Sequence, residues 1–248
     1  MIIIKSQREI DLMREPCKVT KEILEDLDAV IRPGISTEDI NAFVEGRIAH
    51  YNMKPTFKGY GGLPAGACVS VNEEIVHGIP SAKRILQEGD IVSIDTGAMF
   101  KGYTSDAART YAVGEISAEA QKLIDVTKES FFRGIEYAKA GYRLGDLGHA
   151  IQEYSEANGM GVIRSYTGHG VGRNLHEDPM VPNYGTPGKG VKLKAGMTLA
   201  IEPMLVLGHY DTRVLSNEWT VVTVDGSLAA HYENTVVITE GEPEILTL

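Results

Sequence analysis

The sequence predicts an α+β fold in which one αβ unit is used twice. Three observations carry that expectation: helical and strand patterns alternate along the chain, the second half echoes the first at a fixed spacing, and acidic residues close strands at matching places in both halves. Pro33-Gly34-Ile35-Ser36-Thr37-Glu38-Asp39-Ile40 lines up with Ala140-Gly141-Tyr142-Arg143-Leu144-Gly145-Asp146-Leu147. Glu88-Gly89-Asp90-Ile91-Val92-Ser93-Ile94-Asp95 lines up with Ala195-Gly196-Met197-Thr198-Leu199-Ala200-Ile201-Glu202. The offsets 141 − 34 and 196 − 89 are both 107. A constant offset over so long a stretch is hard to obtain from composition, so the chain is expected to be a single domain over residues 1–248 with internal repeats at about 6–115 and 117–242, related by a pseudo-two-fold.

Taken in order, apolar Ile10, Met13, Cys17, Leu24, Leu27 and Ile31 fit one face of a first helix, with Pro16 either kinking it or marking a late start. Arg32-Pro33-Gly34 breaks it, and Ser36 or Thr37 caps a second amphipathic helix through Ile40, Phe43, Val44 and Ile48. Residues 54–90 are rich in Gly and Pro, with short strands expected at 68–71 and 75–77. Ser117 opens a long helix toward Ala140, ended by Gly141, and another runs from about Leu144 to Asn158. Strands are expected at 162–167, 197–201, 219–224 and 229–238.

The chemistry concentrates between Ile94 and Asp106. Ile91-Val92-Ser93-Ile94 reads as a strand, Lys101-Gly102 as a turn, and 104–113 as the returning strand of a hairpin. A two-residue turn at Lys101-Gly102 makes paired residue numbers sum to 203 and sets Asp106 diagonal to Asp95. A turn at Phe100-Lys101 makes the sum 201 and sets the two acids face to face. Either register leaves both carboxylates on one side of the sheet, with Cβ atoms roughly 5–8 Å apart. Like charges that close need a proton or a cation between them. Two solvated acids at a turn would be the bland reading of this pair alone.

The duplication changes that reading. Asp95 maps to Glu202, and Asp106 maps to Glu233, since Asp106 stands eight residues before Gly114-Glu115 as Glu233 stands eight before Gly241-Glu242. About twenty extra residues precede Glu233 in the second half. Two hairpins about a pseudo-two-fold would bring Asp95, Asp106, Glu202 and Glu233 to one place. Four buried carboxylates cost several kcal/mol per charge unless compensated, and two divalent cations would neutralise them. At the same offset His169 maps to Gly62, so one imidazole is added in the second half only. Its setting, Gly168-His169-Gly170-Val171-Gly172, reads as a glycine-rich loop after a strand that lacks the spacing of a phosphate-binding loop and fits a metal ligand better. One imidazole with four carboxylates and no thiolate suits Mn, Fe or Co, with Zn admissible.

Composition agrees. With 43% hydrophobic and 23% charged residues the chain can bury a sizeable core, and a formal net charge of −10 disfavours nucleic acid and anionic lipid as partners. Cys17 and Cys68, the only cysteines, form neither a disulfide framework nor a CxxC pair. Met1-Ile2-Ile3-Ile4 is followed at once by charged residues, so no signal-peptide apolar region forms, and no run is long enough for a membrane helix. A cytoplasmic protein is the expectation.

Seven segments then carry a resemblance: Val71-Asn72-Glu73-Glu74 through His77-Gly78-Ile79-Pro80, Ile94-Asp95, Asp106, Gly168-His169-Gly170-Val171-Gly172, Leu175-His176-Glu177-Asp178-Pro179, Ile201-Glu202-Pro203-Met204 and Glu233-Asn234-Thr235. In order and over essentially the whole chain, they resemble the methionine aminopeptidases of metallopeptidase family M24, in the short bacterial type I form. The resemblance implies the pita-bread fold, a central antiparallel sheet flanked by two pairs of helices. It implies removal of the initiator methionine from nascent proteins, preferentially before a small second residue. Two divalent ions would be held by Asp95, Asp106, His169, Glu202 and Glu233, with Asp106 and Glu233 bridging. Glu202 would also shuttle the proton, His176 would stabilise the oxyanion, and His77 would contact the scissile amide nitrogen. Phe57, Tyr60, Leu63, Cys68 and Trp219 would wall the methionine slot.

Leu63 stands where many relatives have an aromatic, and Asn234 where His often follows the bridging Glu, which touches the outer shell of the metal site. The expected partners are N-terminal Met peptides and nascent chains, with a transient ribosome contact left open, no membrane and a monomeric state. An Xaa-Pro aminopeptidase or dipeptidase of the same fold, a non-catalytic binding module and a metal-storage protein are the alternatives.

Overall fold

The computed structural model describes residues 1–248. Its centre is an antiparallel sheet built by β1 (Ala67–Val71), β2 (Ile91–Thr96), β3 (Ala107–Ala112), β4 (Gly168–Gly170), β5 (Glu177–Val181), β6 (Thr198–Ile201), β7 (Glu233–Val237) and β8 (Glu244–Ile245). The strand order is β5-β4-β6-β7-β3-β2-β1, with β8 paired to β7. Four helices complete it: α1 (Gln7–Asp26), α2 (Thr37–His50), α3 (Ala118–Ile135) and α4 (Leu144–Ala157). No helix is long and apolar enough to cross a membrane.

The spacing of 107 seen in the sequence recurs in the coordinates. α2 and α4 are both 14 residues long and start at 37 and 144. The isolated bridges Ser36–Ile85 and Arg143–Lys192 keep the same spacing. Gly34 and Gly141 turn the chain into these helices at φ of 92° and 100°, a region closed to most other residues. Ser36 caps α2: its hydroxyl accepts from Asp39 N, and its own N–H donates to the Asp39 carboxylate at 2.8 Å. Arg143 cannot cap in that way, but its N–H donates to Asp146 at 2.8 Å.

One correspondence slips. β4 pairs His169 with Ala200, whereas β1 pairs Ser70 with Ser93, the residue that maps to Ala200. The counterpart of His169 is therefore Ser70 and not Gly62. The segment leading into this strand differs in length between the halves, so a fixed offset fails there. His169 also lies on a strand and not in a glycine-rich loop. A Cβ at Gly168 would come within 2.3 Å of the Ala200 carbonyl oxygen, and one at Gly170 within 2.3 Å of the Asp178 oxygen. Those glycines permit close strand approach.

Other boundaries move for local reasons. α1 runs unbroken through Pro16. The helix opened by Ser117 ends at Ile135, where Tyr137 and Ala138 donate to residues three positions back and tighten the chain into turns. The strand expected at 162–167 shortens to Gly161–Val162, and that at 219–224 to Val221–Thr223. The stretch expected at 229–238 breaks at Tyr232, whose N–H donates to the Pro203 carbonyl. His77 falls outside its strand, at φ 60°, a strained setting for a non-glycine residue.

Alternation along the strands separates two faces. Val92 and Ile94 pack with Val69 and Val71 against Ile23, Leu27, Ile40, Val44 and Ile48 of the first helix pair and its extension. Leu199, Ile201 and Val236 pack against Phe131, Ile135, Leu147 and Ile151 of the second pair. Asp95, Glu202 and Glu233, one residue out of step with these, face the other way. Replacing Gly168 with Ala should destabilise the protein by about 1–3 kcal/mol, because the added methyl meets fixed backbone. Gly46→Ala, at an open and exposed position in α2, should stabilise it by up to about 1 kcal/mol. Urea unfolding of both variants reads the contrast, and equal destabilisation would remove the steric account.

Candidate metal centre and substrate pocket

Sheet register builds the site. Phe100 pairs with Tyr103 and Asp95 with Ala108, so the first hairpin adopts the register summing to 203. Lys101 and Gly102 both have positive φ, 49° and 79°, as a type I′ turn requires. Across the sheet, Cys68 pairs with Asp95, Asp95 with Ala108, and Ala108 with Glu233. In the second hairpin Ile201 pairs with Asn234, so one further step sets Glu202 level with Glu233. Four strands thus lay an acidic row along one line, and Ala108 leaves space in its middle.

Asp106 and His169 close the cluster from either side. Thr235 fixes Asp106 by accepting from its N–H at 3.0 Å and donating to its carbonyl at 2.8 Å. His169 Nδ1 lies 2.9 Å from the Gly170 carbonyl, which can only accept, so Nδ1 carries the proton and Nε2 is a bare lone pair. That lone pair faces Asp106 Oδ2 and Glu202 Oε1, both at 3.5 Å. Three electron-rich atoms cannot face one another in a buried place without a cation or a proton among them.

Burial pushes Asp95 up to about 7 and holds Asp106, Glu202 and Glu233 well above the usual carboxylate range, helped at Asp106 and Glu233 by their neighbours' charges. Burial drives His169 down to about 3 and His77 down to about 4, so both are neutral at pH 7. Buried Asp95 Oδ1, Asp106 Oδ1 and Glu233 Oε1 lack any hydrogen-bond partner. Two donor groups, Asp106–His169–Glu233 and Asp95–His231–Glu233, each gather their ligand atoms within 4.8 Å. Donors bound 2.0–2.2 Å from an ion stand roughly 3–3.5 Å apart, so the donor set fits divalent cations.

The acidic row forms part of the wall of a cavity of about 180 Å³. That is below the roughly 300–1,000 Å³ of drug-sized sites and suits one side chain and a peptide end. Phe57, Tyr60, Leu63, Cys68 and Trp219 all line it, as do His77 and His176. His77 meets Tyr166 and Trp219 edge-on, with ring centroids 5.8 and 6.1 Å away. His176 sits at the open rim, its Nδ1 2.7 Å from Tyr60 Oη.

Sequence reasoning missed several residues here. Leu175, Val76, Met204 and Tyr166 also line the cavity. His231 lies inside the cluster, and its signal was parity: two residues before Glu233, it shares that residue's face. Asn234 is otherwise disposed than expected. Its Oδ1 accepts from Arg109 and from Thr247 at 2.7 and 2.9 Å, rather than reaching the carboxylate cluster.

Fold and site together define a metal-dependent hydrolase. A model of metallopeptidase family M24 matches residues 11–240. The methionine aminopeptidase of Clostridium acetobutylicum is 59% identical over 248 residues, covering 100% of this chain and 99% of that protein. The crystal structure of methionine aminopeptidase from Thermotoga maritima superposes with a TM-score of 0.98 at 50% identity, covering 100% of this chain and 99% of that one. Prolidase from Pyrococcus furiosus has the same fold at a TM-score of 0.79 and 26% identity, and this chain covers 65% of its length. The chain belongs to metallopeptidase family M24 and, within it, to the short bacterial methionine aminopeptidases. Its fold is the pita-bread fold of that family.

A stability prediction follows from the buried acids. Carboxyls raised in the fold contribute stability below their unfolded pKa, near 4, and lose it as pH rises through the folded value. The depressed histidines act oppositely, but only up to about pH 6.5. Metal-free protein should therefore melt at lower temperature at about pH 8.5 than at about pH 6.5. Manganese should remove or reverse that slope, since ligands must deprotonate to bind. Thermal melts with chelator and with Mn decide it, and parallel slopes would contradict the account.

Proposed function

We propose that this chain is a methionyl aminopeptidase that removes the initiator methionine from nascent proteins, with its whole length acting as one catalytic domain. The observation that carries the reading is the acidic row with the His169 lone pair, set in the wall of a small, largely apolar slot. Asp95, Asp106, His169, Glu202 and Glu233 would hold two divalent ions, Mn, Fe or Co by donor type, with Zn admissible. When bound, the ions supply Lewis acidity and a water deprotonated near neutral pH.

The chain's own residues do the rest. Glu202 takes the proton from water and delivers it to the leaving amine. With the Tyr60 hydroxyl donating to His176 Nδ1, 2.7 Å away, the proton on Nε2 would meet the oxyanion of the tetrahedral intermediate. His77, neutral and held among rings, contacts the scissile amide nitrogen. Asp95 lies beside Cys68 at the slot, so the free amino terminus of a substrate binds near it and selects an exopeptidase.

Phe57, Tyr60, Leu63, Cys68 and Trp219 hold the unbranched thioether. The narrow slot favours a small second residue. Cytoplasmic nascent chains are the natural substrates, met as a monomer with at most transient ribosome contact.

Glu202→Gln should give a folded protein whose turnover of Met-Ala-Ser is lower by orders of magnitude, since the base and a charged ligand are lost together. Near-normal turnover would remove Glu202 from the mechanism. In the same assay Met-Ala-Ser should be cleaved faster than Ala-Pro-Ala. The reverse order would move the chain to the Xaa-Pro peptidases that share its fold.

A further inference from the structure

His231 is a buried titratable group that the reaction above does not use. It is 1% exposed, and neither ring nitrogen has a hydrogen-bond partner. Its Nε2 stands 3.6 Å from Glu202 Oε2 and 3.6 Å from Glu233 Oε2. Glu202 is therefore bracketed, with Oε1 toward His169 at 3.5 Å and Oε2 toward His231.

The two imidazoles are not equivalent. His169 has its proton fixed on Nδ1 by the Gly170 carbonyl, which leaves Nε2 bare and turned to the cation site. No carbonyl holds His231 Nδ1. A buried N–H without an acceptor is rarer in proteins than an under-used lone pair. The His231 proton therefore belongs on Nε2, the nitrogen with carboxylate oxygens close by. Were Nε2 instead bare and ligating an ion with Asp95 and Glu233, the N–H at Nδ1 would be stranded, against the habit of metal-bound histidines.

We propose that His231 is a positioning residue whose Nε2–H is shared by the facing Oε2 atoms of Glu202 and Glu233, holding Glu202 so that Oε1 stays turned toward His169 and the cation site. It rests on the reading of Glu202 as ligand and base. Donation needs the 3.6 Å separation to close to about 2.9 Å, a shift of a side-chain tip. His169 is then the only imidazole that ligates an ion, and His231 governs how the carboxylate meets it.

The test reads the tautomer directly. Protein labelled with ¹⁵N at histidine and loaded with zinc alone, a diamagnetic probe, should show His231 protonated at Nε2 and one zinc-bound imidazole, that of His169. A proton on Nδ1, or a second zinc-bound imidazole, would overturn the proposal. Kinetics and calorimetry with manganese supply an independent arm. His231→Leu should lower kcat or manganese affinity about 10–100-fold with KM little changed, and His231→Gln, which keeps an N–H donor, should restore most of it.

A Leu variant equal to wild type, or a Gln variant as poor as Leu, would also sink the idea. If the Leu variant does not fold, the wild-type tautomer decides alone. Glu202→Gln separates this from the parent reading: normal turnover there would undo the role of Glu202 whatever tautomer His231 shows.

Discussion

The molecule is arranged around the cost of burying like charges together. Asp95, Asp106, Glu202 and Glu233 occupy one desolvated place, and no salt bridge to Lys or Arg compensates them. Arg109 stands next to Ala108 in β3, but its guanidinium donates to the Glu233 and Ala108 carbonyls and lies over the Tyr232 ring. The scaffold therefore leaves the acids to protons or cations. It can tolerate this because β2, β3, β6 and β7 are anchored elsewhere by two large apolar layers under the helix pairs. Stability is supplied on one face of the sheet and spent on the other.

That division was legible from sequence where it depended on periodicity and register. The parity of Asp95 against Ile94, the turn at Lys101-Gly102 and the constant offset between Gly34 and Gly141 each follow from backbone rules, and each recurs in the coordinates. Sequence failed where a rule was applied past its range. The offset was extended to His169 across segments of unequal length, and it pointed to Gly62 when strand pairing chooses Ser70. The strand expected at 229–238 was overstated because the chain changes sheets at Tyr232, whose N–H bonds the Pro203 carbonyl, a tertiary choice invisible in a linear pattern.

Within the site, residues tied to a motif were easier to find than residues tied to a shape. The four acids stand out by charge and repetition, and His169 by its glycine-rich setting. Leu175, Val76 and Met204 are ordinary apolar residues whose place in the slot comes only from folding. His231 fell between these classes. Its position two before Glu233 was enough to assign its face, but its relevance depends on having no other partner, which only packing reveals. Asn234 is the converse case: its context suggested the outer shell of the site, yet alternation carries it to the opposite face, where Arg109 and Thr247 use it.

The two halves are alike in backbone and unlike in what they contribute, and that asymmetry turns a symmetric scaffold into a directional site. β1 sets Cys68 beside Asp95, and the segment before it brings Phe57, Tyr60 and Leu63, so the first half builds one wall of the slot. β4 holds His169 beside Glu202, and the residues between β6 and β7 bring Trp219 and His231. The pocket thus draws its walls from both halves, while His169 meets the acids at Asp106 and Glu202 and His231 stands between Glu202 and Glu233. On the roles proposed above, a substrate whose side chain fills the pocket would have its amino group near Asp95 and its first carbonyl toward Glu202. Among the imidazoles at the site, His77 comes from the first half and His169, His176 and His231 from the second, an unequal share that the duplication alone could not have produced.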